Sequence, residues 1–179
     1  YSLLGTDLGA TFTLTLLVVA GLVVVLVDAF SANKRTVPIL TGLVFAVGLV
    51  WEAMHLYTPT STAWWGMVRT GGYAAFVNVI LLLSALLTVM LSDAYLQRIR
   101  HNYGEVYALL LFATAGMVTL GTANNLVMIF VGLETMSVCL YILVGFIRDE
   151  GSIEASLKYF LLGAFSTGFF LYGIALLYG

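Results

Sequence analysis

The chain has 179 residues, of which 61% are hydrophobic and 9% charged, and its formal net charge is −2. A soluble domain carries about 25% charged residues, so this composition excludes one, and a mean hydropathy of +1.05 points to a membrane protein. One cysteine, Cys139, and two histidines, His55 and His101, are too few for a thiolate cluster or a bis-histidine haem. Phosphate-cradling glycine loops of the G-x-x-x-x-G-K-[ST] and G-x-G-x-x-G kinds are missing. The chain is therefore expected to carry no redox centre or nucleotide of its own. No basic run of the kind that binds nucleic acid is present. The chain opens at Tyr1 with no Lys or Arg before Lys34, so the basic start of a signal peptide is missing, and we expect a fragment.

A membrane helix needs about 20 mostly apolar residues at 1.5 Å each. Taken in order, the sequence divides into six spans at residues 8–30, 36–57, 72–92, 103–122, 124–147 and 153–178. A polar stretch with Pro59, Trp64 and Trp65 separates the second and third, and a charged loop from Asp93 to Asn102 separates the third and fourth. The expected architecture is an all-α polytopic membrane protein of one domain, 1–179. Neither proline, Pro38 or Pro59, breaks a span, so no discontinuous helix is marked by proline.

Lys34, Arg35, Arg98, Arg100 and Arg148 fall in three loops that alternate onto one side, against Arg69 alone on the other. Positive residues stay inside, which predicts that both Tyr1 and Gly179 lie outside. Trp64 and Trp65 suit the outer interface, where amphipathic rings settle among headgroups.

Asp28, Glu52 and His55 lie near span ends, where headgroups or water reach them, and read as structural. Asn78 reads as glue between helices. Glu134 is different, ten residues from Asn124 and thirteen from Ile147, or about 15 Å and 20 Å of helix from either surface. A carboxylate there costs about 2.5–3.5 kcal/mol on insertion scales. Its side chain is too short to snorkel, so it must face other helices, water or a cation, or be protonated. The spacing favours a proton-relay or ion-coupling carboxylate over a neutral acid bonded between helices.

Lys158 lies five residues into the sixth span, with Glu154 four residues before it in the favourable order for an ion pair. Small residues mark expected close packing: Ala164 and Gly168 in an x-x-x spacing, with Ser156, Gly163, Thr167 and Gly173 alongside, and Gly116 and Gly121 on the fourth span.

Three stretches together resemble a known family. These are GEVYALLLFATAGMVTLGTANNLVMIFVGLETMSVCLYILVGF, then GSIEASLKYFLLGAFSTGFFLYGIALLYG with an E-A-x-x-K-Y-x-x-L pattern at Glu154–Leu162, and more weakly MVRTGGYAAF. The chain resembles subunit N of the proton-pumping NADH–quinone oxidoreductases of respiratory complex I, specifically over its last 75 residues and in span order before them. The resemblance implies an antiporter-like membrane-arm subunit, truncated within its first repeat, with Glu134 and Lys158 in proton translocation and Glu154 as an accessory. It also implies a lysine partner for Glu134 on a seventh helix beyond Gly179. NADH, FMN, iron–sulfur clusters and quinone are expected in other subunits, with those membrane-arm subunits and the lipid bilayer as partners. The expected setting is a bacterial plasma membrane. Two other readings compete: a D-type subunit of a multi-subunit sodium/proton antiporter, and a structural scaffold. A scaffold has no reason to keep a midplane carboxylate.

Overall fold

A computed structural model describes residues 3–30, 36–98 and 104–179. Lys34, Arg35, Arg100 and His101 lie outside the described residues, as does the side chain of Arg98. The described chain forms α1 (Leu3–Ala10), α2 (Phe12–Phe30), α3 (Thr36–Met54), β1 (Ser61–Ala63), β2 (Val68–Thr70), α4 (Gly72–Arg98), α5 (Gly104–Thr122), α6 (Leu126–Val144) and α7 (Glu150–Tyr178). Helices α2 to α7 are six that are long and apolar enough to cross a membrane. Four of them have 19 residues, about 28 Å of rise, close to the thickness of a hydrocarbon core of about 30 Å.

Helix α5 occupies the middle, packed against α2, α3, α4 and α6, while α7 touches the rest through α6. The core joins Leu17 and Val24 of α2, Phe45 of α3, Leu82 of α4, and Tyr107 and Leu111 of α5, all fully enclosed. Close approach replaces bulk between α5 and α6. A Cβ on Gly116 would sit 2.6 Å from the Met136 nitrogen, and one on Gly132 would sit 2.9 Å from the Gly116 oxygen. Only hydrogen at these two positions lets the backbones touch, which is how helices associate in lipid.

Two segments depart from the sequence expectation. The polar stretch after the second span is a small antiparallel hairpin pairing Ser61 with Thr70 and Ala63 with Val68. Its turn puts Trp64 and Trp65 at φ of 53° and 54°, a left-handed conformation costing roughly 1–2 kcal/mol per bulky residue. Tethers offset that cost: the Trp64 amide donates to Asp7 Oδ1 at 3.3 Å, and its indole to Thr11 Oγ1 at 3.4 Å. The hairpin is also stitched to the α5–α6 connection. Arg69 donates to Asn124 Oδ1 at 2.8 Å, and Asn124 Nδ2 to the Gly66 carbonyl at 2.7 Å.

The loop expected from Asp93 begins later, because α4 continues to Arg98. No glycine or proline stops it, and Leu96 is buried against the core, so tertiary contact carries the helix beyond its apolar stretch.

Candidate functional site

Helix α6 starts at a capped end, where the Asn125 side chain accepts from the Met128 amide at 2.8 Å. Glu134 follows eight residues after Leu126 and ten before Val144, about 12 Å and 15 Å from the two helix ends. It is half-buried and lines a cleft of about 230 Å³ between α6 and α7. Phe130 and Tyr141 lie beside it on α6, with Phe160, Ala164 and Thr167 opposite on α7. The small α7 residues open the cleft, and aromatic rings close it. Tyr141 meets Phe160 edge-on at 5.7 Å and Tyr159 at 4.8 Å, while Phe130 faces Phe170 at 6.3 Å. Gly163 gives the Tyr141 ring its room, since a Cβ there would collide with the phenol oxygen.

Among the described residues, no hydrogen-bond or ion-pair partner meets the Glu134 carboxylate. Lys158 does not fill that role. It pairs with Glu154 on its own helix, both side chains largely exposed. It lies nine residues from Thr167, which at 3.6 residues per turn is half a turn away from the cleft face. The structure thus joins Lys158 to Glu154 and leaves Glu134 apart from both. A carboxylate set in a largely apolar cleft is stable only if it meets a cation or water there or is protonated.

The arrangement at the other carboxylate differs from what span position implies. Glu52 is not merely at a helix end: its Oε1 accepts from the Thr13 hydroxyl at 2.6 Å. It lines a second pocket, of about 390 Å³, with His55 and Asn78. Asn78 does bridge helices as expected, but it also walls this pocket. The sequence held a usable sign in Glu52 and His55, three residues apart on one helix face. The partners from α2 and α4 carried none.

Three small-residue positions also sort themselves. Gly116 makes the close contact expected of it, whereas Gly168 and Gly173 have nothing within 4 Å of a would-be Cβ. Gly132, which the sequence reading passed over, is the true counterpart of Gly116. Among the described residues, no three His, Cys, Asp or Glu side chains gather as a metal site.

Comparison with known proteins finds chains similar to this one. Residues 123–179, which contain Glu134, Glu154 and Lys158, match a family model described as NADH:quinone oxidoreductase/Mrp antiporter, TM. A protein from Salinibacter ruber named NADH-quinone oxidoreductase subunit N is 56% identical over 175 residues, covering 97% of this chain and 35% of the relative. A subunit N from Trichlorobacter lovleyi is 43% identical over 166 residues, covering 92% and 34%. The fold matches a chain in the structure of respiratory complex I from Thermus thermophilus with bound Aureothin, with a TM-score of 0.80 and 34% identity over 93% of this chain and 36% of that one. By sequence and by fold, the chain is a relative of NADH-quinone oxidoreductase subunit N, and it spans about a third of the length of the relatives it matches.

Proposed function

We propose that this chain is part of an antiporter-like membrane-arm subunit of a proton-translocating NADH–quinone oxidoreductase. It takes part in moving protons as quinone is reduced elsewhere in the complex. The observation that carries the reading is a carboxylate, Glu134, held mid-span in an apolar cleft within a chain 56% identical to a subunit N. Redox chemistry, with NADH, FMN, iron–sulfur clusters and quinone, belongs to other subunits. The partners are the remaining membrane-arm subunits and lipid.

In this mechanism Glu134 alternates between carboxylate and acid. A nearby ammonium favours a carboxylate's charged form, and withdrawing that cation favours proton uptake. A charge change at one site thereby alters proton affinity at the next, which is the coupling a redox-driven pump requires. The Glu134 cleft lies between α6 and α7, and in this mechanism a cationic partner from outside this chain meets the carboxylate there. Lys158, held by Glu154 near the start of α7, serves as a relay between the membrane surface and the interior. Five basic residues on one side against Arg69 on the other support a multi-pass protein with its N-terminus outside. The bacterial relatives support a bacterial plasma membrane.

The test uses the complete protein in its complex. Glu134→Gln keeps size and hydrogen-bonding capacity but removes the titrating group. The expected outcome is an assembled complex that loses most of its quinone-coupled proton pumping. An assembled variant that pumps normally rejects the role of Glu134. Sodium exchange that needs no quinone reduction moves the chain to the sodium/proton antiporter reading.

A further inference from the structure

The second pocket carries chemistry that the Glu134 cleft does not. It runs from the hairpin residues Pro59, Ser61 and Thr70 into the bundle as far as Asn78. At about 390 Å³ it holds on the order of ten waters, each taking about 30 Å³ in the liquid. Three hydrogen-bond acceptors converge on it. Glu52 is held by the Thr13 hydroxyl on one oxygen and also takes a hydrogen bond from the Asn78 side chain. The Asn78 carbonyl oxygen, on a residue only 2% exposed, has no partner. A buried unpaired acceptor is costly and calls for an explanation. His55 supplies the third. Its Nδ1 lies 2.8 Å from the Trp51 carbonyl, and a carbonyl only accepts, so Nδ1 carries a hydrogen and the acceptor site of a neutral ring would be Nε2.

We propose that this pocket is a second protonation site, separate from Glu134 and open at the hairpin end of the bundle, in which Glu52 takes up a proton and Asn78 accepts the resulting O–H. The balance is simple. A hydronium ion reaching the pocket gives a proton to a Glu52 oxygen: its O–H bond breaks to leave water as the carboxyl O–H forms, and the Asn78 amide turns so that its orphaned oxygen faces the new donor. His55 Nε2 offers a second landing point beside it, with the Nδ1 bond to Trp51 kept throughout. A proton suits the pocket better than a metal cation, because it brings one carboxylate and, among the described residues, no three-ligand cluster.

The neighbouring charged groups are engaged elsewhere or distant. Asp7 of α1 accepts from the Trp64 amide, and Arg69 of β2 bonds to Asn124. Asp28 of α2 lies against Gly104, while Asp93 of α4 accepts from Tyr107 of α5 and Glu105 is in the first turn of α5. All three belong to the opposite helix ends. Tyr73 of α4 is 71% exposed.

The site rests on the pocket and not on the redox-linked reading, so the two fail separately. The experiment is infrared difference spectroscopy of the complete complex in lipid, acidified from the hairpin side. Wild type is expected to show the C=O stretch of a protonated carboxylic acid. Glu52→Gln loses that band while Glu134→Gln keeps it. Asn78→Leu, similar in size but without an acceptor, moves the band to higher frequency, and this shift carries the test if Glu52→Gln does not assemble. A band that survives Glu52→Gln, or that ignores Asn78→Leu, overturns the proposal. A band abolished by sodium at constant pH overturns it too, in favour of a cation site.

Discussion

Helices α5 and α7 are both long, apolar and rich in small residues, yet the fold uses them in opposite ways. Of the most apolar 18-residue window, 61% is buried in α5 and only 6% in α7, although α7 is the more apolar of the two. In water the more apolar helix goes inside. In lipid that drive is missing, because hydrocarbon tails are as apolar as leucine. What selects α5 for the middle is fit: Gly116 against Gly132, and Gly21 of α2 against the Phe112 ring. The α7 surface, with Phe165, Phe169 and Tyr172 more than 60% exposed, is left uncovered by the other described helices.

The largest expected effect tests this contrast directly. Gly116→Ala and Gly132→Ala each force a methyl into backbone atoms, and overpacking of that kind costs about 1–3 kcal/mol. Both variants should unfold at lower temperature in detergent. Gly168→Ala, with open space around it, should unfold at or slightly above the wild-type temperature, since alanine is the better helix former. Were Gly168→Ala of the complete protein to lose as much as Gly116→Ala, the α7 stripe would be a packed interface there, and the contrast would hold only within this segment.

A smaller effect is expected at the ion pair on α7. Lys158 and Glu154 are 74% and 65% exposed in their side chains, and such pairs contribute below about 1 kcal/mol. A double-mutant cycle of Lys158→Met and Glu154→Gln should find weak coupling in stability. If Lys158→Met nonetheless removes proton pumping from an assembled complex, its role lies in transport and not in holding α7.

The smallest effect is at the helix start. Asp149 caps α7 by accepting from the Ser152 amide at 2.7 Å, and hydrogen bonding from Ser152, side chain first and backbone amide second, holds its carboxyl below the ordinary range. A lowered value in the folded chain means that the carboxylate's contribution is present above the unfolded value, about 3.9, and is lost as pH falls through the folded value. Protection of the first-turn amides of α7 against exchange, taken relative to their intrinsic rates, should therefore fall on acidification below about pH 4. In Asp149→Ala that protection should be low at every pH.

Hydropathy and charge by themselves determined that the chain spans a membrane six times, that Glu134 lies deep in the fifth span, and that Glu154 and Lys158 share a helix face. These are properties of single segments: apolar length sets spanning, and a fixed rise sets depth. Even the continuation of α4 to Arg98 was beyond such reasoning, because it depends on Leu96 finding the core. Only the tertiary structure decided that Gly132 rather than Gly168 is the close-contact glycine, that Lys158 turns away from the Glu134 cleft, and that the hairpin holds two tryptophans in a strained turn. Above all, it turned Glu52 from a residue at a helix end into one tied to Thr13 and Asn78, which lie 39 residues before it and on the following helix. The physical reason is common to all four. Which residues meet across helices depends on interhelical fit, and in lipid no periodicity of hydrophobic residues records that fit in the sequence.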